Sequence, residues 1–278
     1  MARAHVECAS LISGLDRTFH LDGIATGATA IDLSRDSVTG AESLLLRLPA
    51  FWHWPIPGHF ASEVEILVLS GLVRFGAHTL QAGDFAVYGA GRNFPTLDSD
   101  SGCEMLWLAA GPTKFVRNSG SPHASPFSQE PACIGELPWK QSPSFIGRSA
   151  EEAGPQLHVK YLRGDPQKGA YTAMTRHAAG WSEPKLESHS TWEELVLLEG
   201  DFLMGNTGMV GPGCYIFRPE RLPHGPQVTR HGATWLCRGE RRIDFKFESY
   251  PWVTARSRRY LEMTDAQKPP RAPWNIVW

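Results

Sequence analysis

The chain has 278 residues, long enough for two domains of ordinary size, and its 27 basic and 29 acidic residues leave a formal net charge of −2. That balance argues against a dedicated nucleic-acid or acidic-membrane surface. The five cysteines, Cys8, Cys103, Cys133, Cys214 and Cys237, form no C-x-x-C pair, which speaks against a disulfide framework or a thiolate zinc module and suits a reducing cytoplasm.

In chain order, the opening Met1-Ala-Arg-Ala-His-Val-Glu-Cys has no apolar run of signal-peptide length, and no later segment is long and apolar enough to cross a bilayer. The 27 glycines and 21 prolines are spread through the chain, as many short strands and turns require. The first half offers the strands Ser43–Arg47, Glu65–Ser70 and Met105–Leu108, with a turn at Gln81-Ala-Gly83. Residues 112 to 155 are too polar and too broken by proline for a continuous helix. They read as an ordered crossing that packs Trp139 and Phe145 against the fold, or alternatively as a flexible linker. Beyond it lie the strands Thr172–Arg176, Glu193–Glu199, Cys214–Phe217 and Trp235–Arg238. Only Thr254–Ala266 has the makings of a helix, and the proline- and tryptophan-rich end, from Lys268 to Trp278, is expected to clasp another part of the protein or a second subunit.

These segments repeat. Glu65-Ile-Leu-Val-Leu-Ser-Gly71 matches Glu194-Leu-Val-Leu-Leu-Glu-Gly200, Gln81-Ala-Gly83 matches Gly211-Pro-Gly213, and the flanking strands recur in the same order. A repeat of this size predicts a duplicated domain. The expected division is 1–112, a connection at 113–155, 156–248 and a tail at 249–278, with the two repeated cores near 20–112 and 156–248.

The second copy carries the chemistry. Residues i and i+2 of a strand share a face, so Glu187 and His189 can point to one interior, and Glu193 heads the face that continues with Leu195 and Leu197. A carboxylate on an apolar face must be neutralised, hydrogen-bonded or bound to a cation. His224 follows a further strand and the turns at Pro219 and Pro223. Imidazole and carboxylate together suit iron, zinc, manganese or nickel better than calcium. Each of these residues taken alone is more simply a solvated charge or a loop histidine; the set points to one mononuclear transition-metal site. In the first copy Gly58, Phe60, Val64 and Phe94 stand opposite Glu187, His189, Glu193 and His224, so its interior is expected to be apolar and metal-free. His53, His59 and Glu63 lie nearby at a different spacing.

The spacing of His189, Glu193 and Gly200, followed by that of Gly213, Pro219 and His224, resembles the two-part signature of the cupins. The phrase Glu193-Glu-Leu-Val-Leu-Leu-Glu-Gly200 is most similar to the cupin domain of ChrR-like anti-sigma factors and their diketone-cleaving relatives. Three positions depart from the pattern. Glu187 replaces the first histidine, Arg221 the glycine and Val228 the asparagine. Glu187 is then either a fourth ligand or solvent-facing, with water completing the shell.

The resemblance implies an all-β fold of two tandem cupin jelly-roll barrels, a bicupin, with one divalent metal, iron or zinc before manganese or nickel. It implies a non-haem iron dioxygenase that cleaves a small diketone or hydroxylated aryl ketone. The alternatives are a non-catalytic, zinc-binding sensor of the ChrR-like type and a metal-dependent sugar isomerase. Arg176, His177, Tyr215 and Phe217 are candidates for the pocket, with Trp181 beside them, although Arg176 has a structural counterpart in Arg47. The expected partners are a small-molecule substrate and, given exposed strand edges and the tail, a second copy in a homodimer.

Overall fold

A computed structural model describes residues 3–117, 123–141, 157–165, 168–205, 207–241, 243–263 and 273–278. Phe145 and residues 268–272 of the tail lie outside the described residues. The fold is the expected all-β jelly roll, and its described residues form two compact units. One contains the described part of 13–137 with Arg3 and Trp274–Trp278; the other contains 4–12 and the described part of 138–273.

The first unit is built on a sheet in the order Phe127–Cys133, Asp84–Tyr88, Val64–Phe75, Leu97–Ala109, Glu42–Trp54, Ile24–Arg35, Arg17–Leu21. The central strand begins Val64-Glu-Ile-Leu-Val-Leu69 and is buried at all six positions, so both its faces are covered. Phe60 sits among aromatic rings, with centroids 4.9 Å from Trp107, 5.4 Å from Tyr88, 5.7 Å from Phe94 and 5.8 Å from Phe115. Packed rings of this kind fill the interior that the sequence marks as apolar. Trp274 and Trp278, from the end of the chain, are buried in this unit, and the Trp274 indole donates to Glu104 at 2.9 Å.

The second unit repeats that order strand for strand: Val6–Ser10, Cys214–Arg218, Glu193–Gly200, Ala233–Gly239, Tyr171–His177, Leu157–Gly164, Lys140–Gln141. Its outer edge is the N-terminal strand, which no sequence pattern assigns there. A pair of glycines recurs as well. Gly71 and Gly200 have φ of +72° and +86°, and a Cβ on them would sit 1.9 Å from the Gly102 carbonyl oxygen and 1.8 Å from that of Gly232. Only glycine allows that close crossing of strands. Trp139 packs as the sequence suggests, with the Arg176 guanidinium 4.2 Å and the Lys160 ammonium 4.7 Å from its ring centroid.

The helix runs Pro251–Leu261, earlier than the expected Thr254–Ala266. Proline at the first helical position has its φ already set and loses no hydrogen bond, so Pro251 starts the helix that its tryptophan-rich context had disguised as tail. Tyr260 seats it, donating its hydroxyl at 2.6 Å to the fully buried Asp201. No helix among the described residues is long and apolar enough to cross a membrane.

Phe60→Ala would remove the ring at the middle of the aromatic cluster. The expected cost is about 3–5 kcal/mol, seen as a lower denaturant midpoint in equilibrium unfolding. A change under about 1 kcal/mol would show that the cluster does not hold the first unit together.

Candidate metal centre

Two short strands and a turn assemble the centre. Leu186–Ser188 pairs with Lys246–Glu248 on one side. On the other, Glu187 and His224 form an isolated antiparallel bridge, with backbone N–H···O distances of 2.8 and 2.9 Å in the two directions. This bridge locks two candidate ligands side by side before their side chains do anything. The first unit contains the same kind of bridge between Gly58 and Phe94. His189 lies past the end of its strand, where its carbonyl accepts from the Arg221 amide at 2.7 Å. Glu193 then opens the central strand.

Both histidines are oriented by backbone carbonyls. His189 Nδ1 donates to Thr191 O at 2.7 Å and His224 Nδ1 to Leu222 O at 2.9 Å. A carbonyl accepts only, so the protons sit on Nδ1 and the Nε2 lone pairs face inward. Those two nitrogens and a Glu193 carboxylate oxygen lie within 4.8 Å of one another, with Glu193 Oε2 3.7 Å from each Nε2. At 3.7 Å no direct hydrogen bond forms. Ligands about 2.1 Å from a shared metal stand roughly 3–3.5 Å apart, close to this spacing. His189 Nε2 is buried and has no hydrogen-bond partner. The donor set and that orphaned atom fit a divalent transition metal.

Glu187 holds a different place. Its Oε1 is 2.8 Å from His224 Nε2 and accepts from the Gln227 amide, outside the group of three. Because His224 Nδ1 already donates to a carbonyl, the Glu187 contact needs a proton shared between ring and carboxylate, or a cation between them. Burial opposes ionisation of Glu193, but the two histidines and Arg218 outweigh it and hold its carboxyl well below the usual range. Burial likewise opposes a charge on His189, and Glu193 and Glu187 overcome it and raise its pKa.

Arg218 is the residue that the sequence reading missed. Only 1% exposed, it reaches Glu193 Oε2 at 3.4 Å and Glu7 Oε1 at 2.9 Å. Period-two alternation from Cys214 and Ile216 does place Arg218 on the face of Glu193, so a signal existed. Nothing local pointed to Glu7, more than two hundred residues away in the chain. Burial works against the Glu7 carboxylate, yet Arg218, His5 and Thr207 lower its pKa to about 2.

A cavity of about 50 Å³ opens beside the ligands, bounded by Glu187, Glu193, Gln227 and His177 and walled by Leu195, Phe202, Trp235, Phe245 and Phe247. His177 meets Trp181 edge to face with ring centroids 4.4 Å apart, and burial pushes its pKa down to about 3, so the ring is neutral. His177 and Trp181 both line the cavity. The other three pocket candidates do not. Arg176 lies over Trp139; Tyr215 donates to Glu194 at 2.6 Å; Phe217 faces Trp192 at 5.7 Å. Tyr215 and Phe217 alternate with Ile216 and therefore point through the opposite face of the strand. His53 is exposed, and His59 is held by Asn93 at 2.9 Å, so the histidines of the first copy do not converge. Among the described residues, His189, Glu193 and His224 form the group of histidine, cysteine or acidic side chains close enough to share a metal.

The family model described as a domain of unknown function, DUF4437, matches residues 22–246. Comparison with curated proteins gives no match. Among solved structures, a protein of Nostoc punctiforme PCC 73102 described as a "putative dioxygenase" superposes with a TM-score of 0.73 at 17% identity, over 89% of this chain and 86% of that one. An oxalate decarboxylase mutant of Bacillus subtilis gives 0.55 at 11% identity, covering 96% and 88%. Salicylate 1,2-dioxygenase of Pseudaminobacter salicylatoxidans gives 0.53 at 12%, covering 79% and 80%. At these identities the likeness is one of fold, the cupin jelly roll.

His224→Ala or His189→Ala is expected to lower bound transition metal to below about a tenth of the wild-type content by elemental analysis, whereas Phe94→Ala leaves it unchanged. Equal metal in wild type and the His224 variant would refute the site.

Proposed function

We propose for this chain, which belongs to the DUF4437 family, the activity of a metal-dependent dioxygenase that cleaves a small β-diketone. In this reading the protein is a bicupin with a ChrR-like C-terminal barrel, and the N-terminal barrel has exchanged its ligands for aromatic rings. The observation that carries the proposal is the inward convergence of His189 Nε2, His224 Nε2 and Glu193 beside a small, mostly apolar cavity. The fold likeness to the structure described as a "putative dioxygenase" supports it.

The cavity narrows the substrate. Allowing roughly 10–15 Å³ of probe volume for each water, about 50 Å³ holds about four waters, or roughly 120 Å³ of liquid. That space favours a small diketone, accommodated by a modest widening of the cavity, over the larger aryl ketone. A divalent iron held by His189, His224 and Glu193 would supply Lewis acidity to the substrate oxygens and the redox chemistry of dioxygen.

The chain's own groups do the rest. The 1,3-relation of the two carbonyls makes the intervening C–H acidic, and in this reading the Glu187 carboxylate, which borders the cavity, takes that proton. Gln227, which also borders the cavity, fixes the orientation of Glu187 by donating to its Oε1. The neutral His177 and the aromatic wall keep water from competing. Arg218 balances part of the charge of Glu193, so the pocket is not left with an excess of carboxylates once the enolate forms. Both atoms of dioxygen enter the products, one carboxylic acid and one α-dicarbonyl, and no external reductant is needed.

Iron-loaded protein is expected to consume one dioxygen per pentane-2,4-dione, followed with an oxygen electrode against an iron-only control. Glu187→Gln should keep its metal and lose about 10²–10⁴-fold in kcat, as expected for removal of a general base. No uptake above the control by metal-replete protein would overturn the assignment.

A further inference from the structure

The edge strand Val6–Ser10 contains a β-bulge. Its register on the neighbouring strand runs Val6 to Phe217, Glu7 to Ile216, Ala9 to Tyr215 and Ser10 to Cys214, which leaves Cys8 as the extra residue. Cys8 has a φ of +68°, a left-handed conformation that side-chain-bearing residues keep only where the surroundings impose it. The bulge turns its side chain onto the apolar cluster that contains Cys214 and Ile216. Cys8 lies two residues from Ser10, the register partner of Cys214, so both cysteines border the same apolar cluster. Cys8 is half-buried and Cys214 is buried, so a small reagent reaches Cys8 first.

We propose that Cys8 and Cys214 form a reversible redox modification site, in which oxidation by a small-molecule disulfide links the N-terminal strand covalently to its neighbour Cys214–Arg218. The Cys8 thiolate attacks one sulfur of the reagent, forming a mixed disulfide and releasing one thiolate. The Cys214 sulfur, giving up its proton, then attacks the Cys8 sulfur and expels the second. In sum, two protein thiols and one small disulfide become one protein disulfide and two small thiols. The neighbouring Cys214 lowers the Cys8 pKa, which favours the first step, while Cys8 and burial raise that of Cys214. The bulged edge strand is the element whose adjustment brings the two sulfurs to a bond of about 2.05 Å.

The consequence reaches further than the strand. Glu7 adjoins Cys8 and holds Arg218, which touches Glu193. Oxidation therefore fixes the segment that supplies Glu7. The thiol pair does not depend on the metal assignment, and its test is independent of it.

The experiment treats full-length protein with glutathione disulfide or with dithiothreitol, alkylates the remaining thiols and maps peptides by mass. Oxidised protein should weigh about 2 Da less, with the Cys8 and Cys214 peptides joined and Cys103, Cys133 and Cys237 alkylated after unfolding. Hydrogen exchange over residues 6–10 should slow at least tenfold. Cys8→Ser should abolish the cross-link, and Cys214→Ser should accumulate a stable glutathione adduct on Cys8. Recovery of Cys8 in wild type as a free thiol, as a lasting glutathione adduct, or bridged to Cys133 or another chain would overturn the proposal. Should the buried Cys214 variant fail to fold, the wild-type map and the Cys8 variant decide the matter alone.

Discussion

Two imidazole lone pairs and two carboxylates directed at one buried place are mutually repulsive, and the structure of the second unit is arranged around that fact. His189 and His224 each spend their Nδ1 proton on a backbone carbonyl, which leaves Nε2 as an acceptor with nothing protic to face. Glu193 and Glu187 add negative charge where water is scarce. Relief comes from protons shared among the four groups, from Arg218, or from a cation at the centre. Of these, a divalent cation satisfies both nitrogens and Glu193 together, because it accepts several lone pairs at once whereas a proton serves one pair.

The comparison of the two units makes the same point from the other side. Their sheets share strand order, the glycine crossing at Gly71 and Gly200, and the backbone bridge that pairs Gly58 with Phe94 and Glu187 with His224. What differs is the filling. Phe60, Phe94, Tyr88 and Trp107 interlock at ring distances of roughly 5–6 Å in the first, a packing that burial of apolar area alone stabilises. Polar ligands in the second give up that stabilisation and leave a cavity beside them. One scaffold thus supports a solid core or a polar-lined pocket, according to four side chains.

Arg218 ties this pocket to the start of the chain. A guanidinium that is 1% exposed must have its charge met, and Glu193 meets only part of it. Glu7, from the edge strand, supplies the remainder. Removing one partner of such a buried pair typically costs about 3–5 kcal/mol, because the other charge is left uncompensated. The edge strand is therefore electrostatically part of the centre as well as part of the sheet.

Period-two alternation and residue chemistry in the sequence determined the all-β class and pointed to a repeat and to Glu187, His189, Glu193 and His224, since these depend on spacings within a strand or a single turn. Of those four residues the structure groups the last three. The aromatic substitutions at Phe60 and Phe94 were legible for the same reason. Facing was not, because alternation says that neighbours oppose each other but not which of them looks inward; hence Tyr215, Phe217 and Arg176 were placed in a pocket they do not line. Only the tertiary structure decided that Glu187 leans on His224, that the first strand of the chain closes the second sheet, and that Glu7 and Arg218 meet. These are contacts between segments far apart in sequence, fixed by strand pairing and by the need to neutralise buried charge, and no local pattern of residues encodes them.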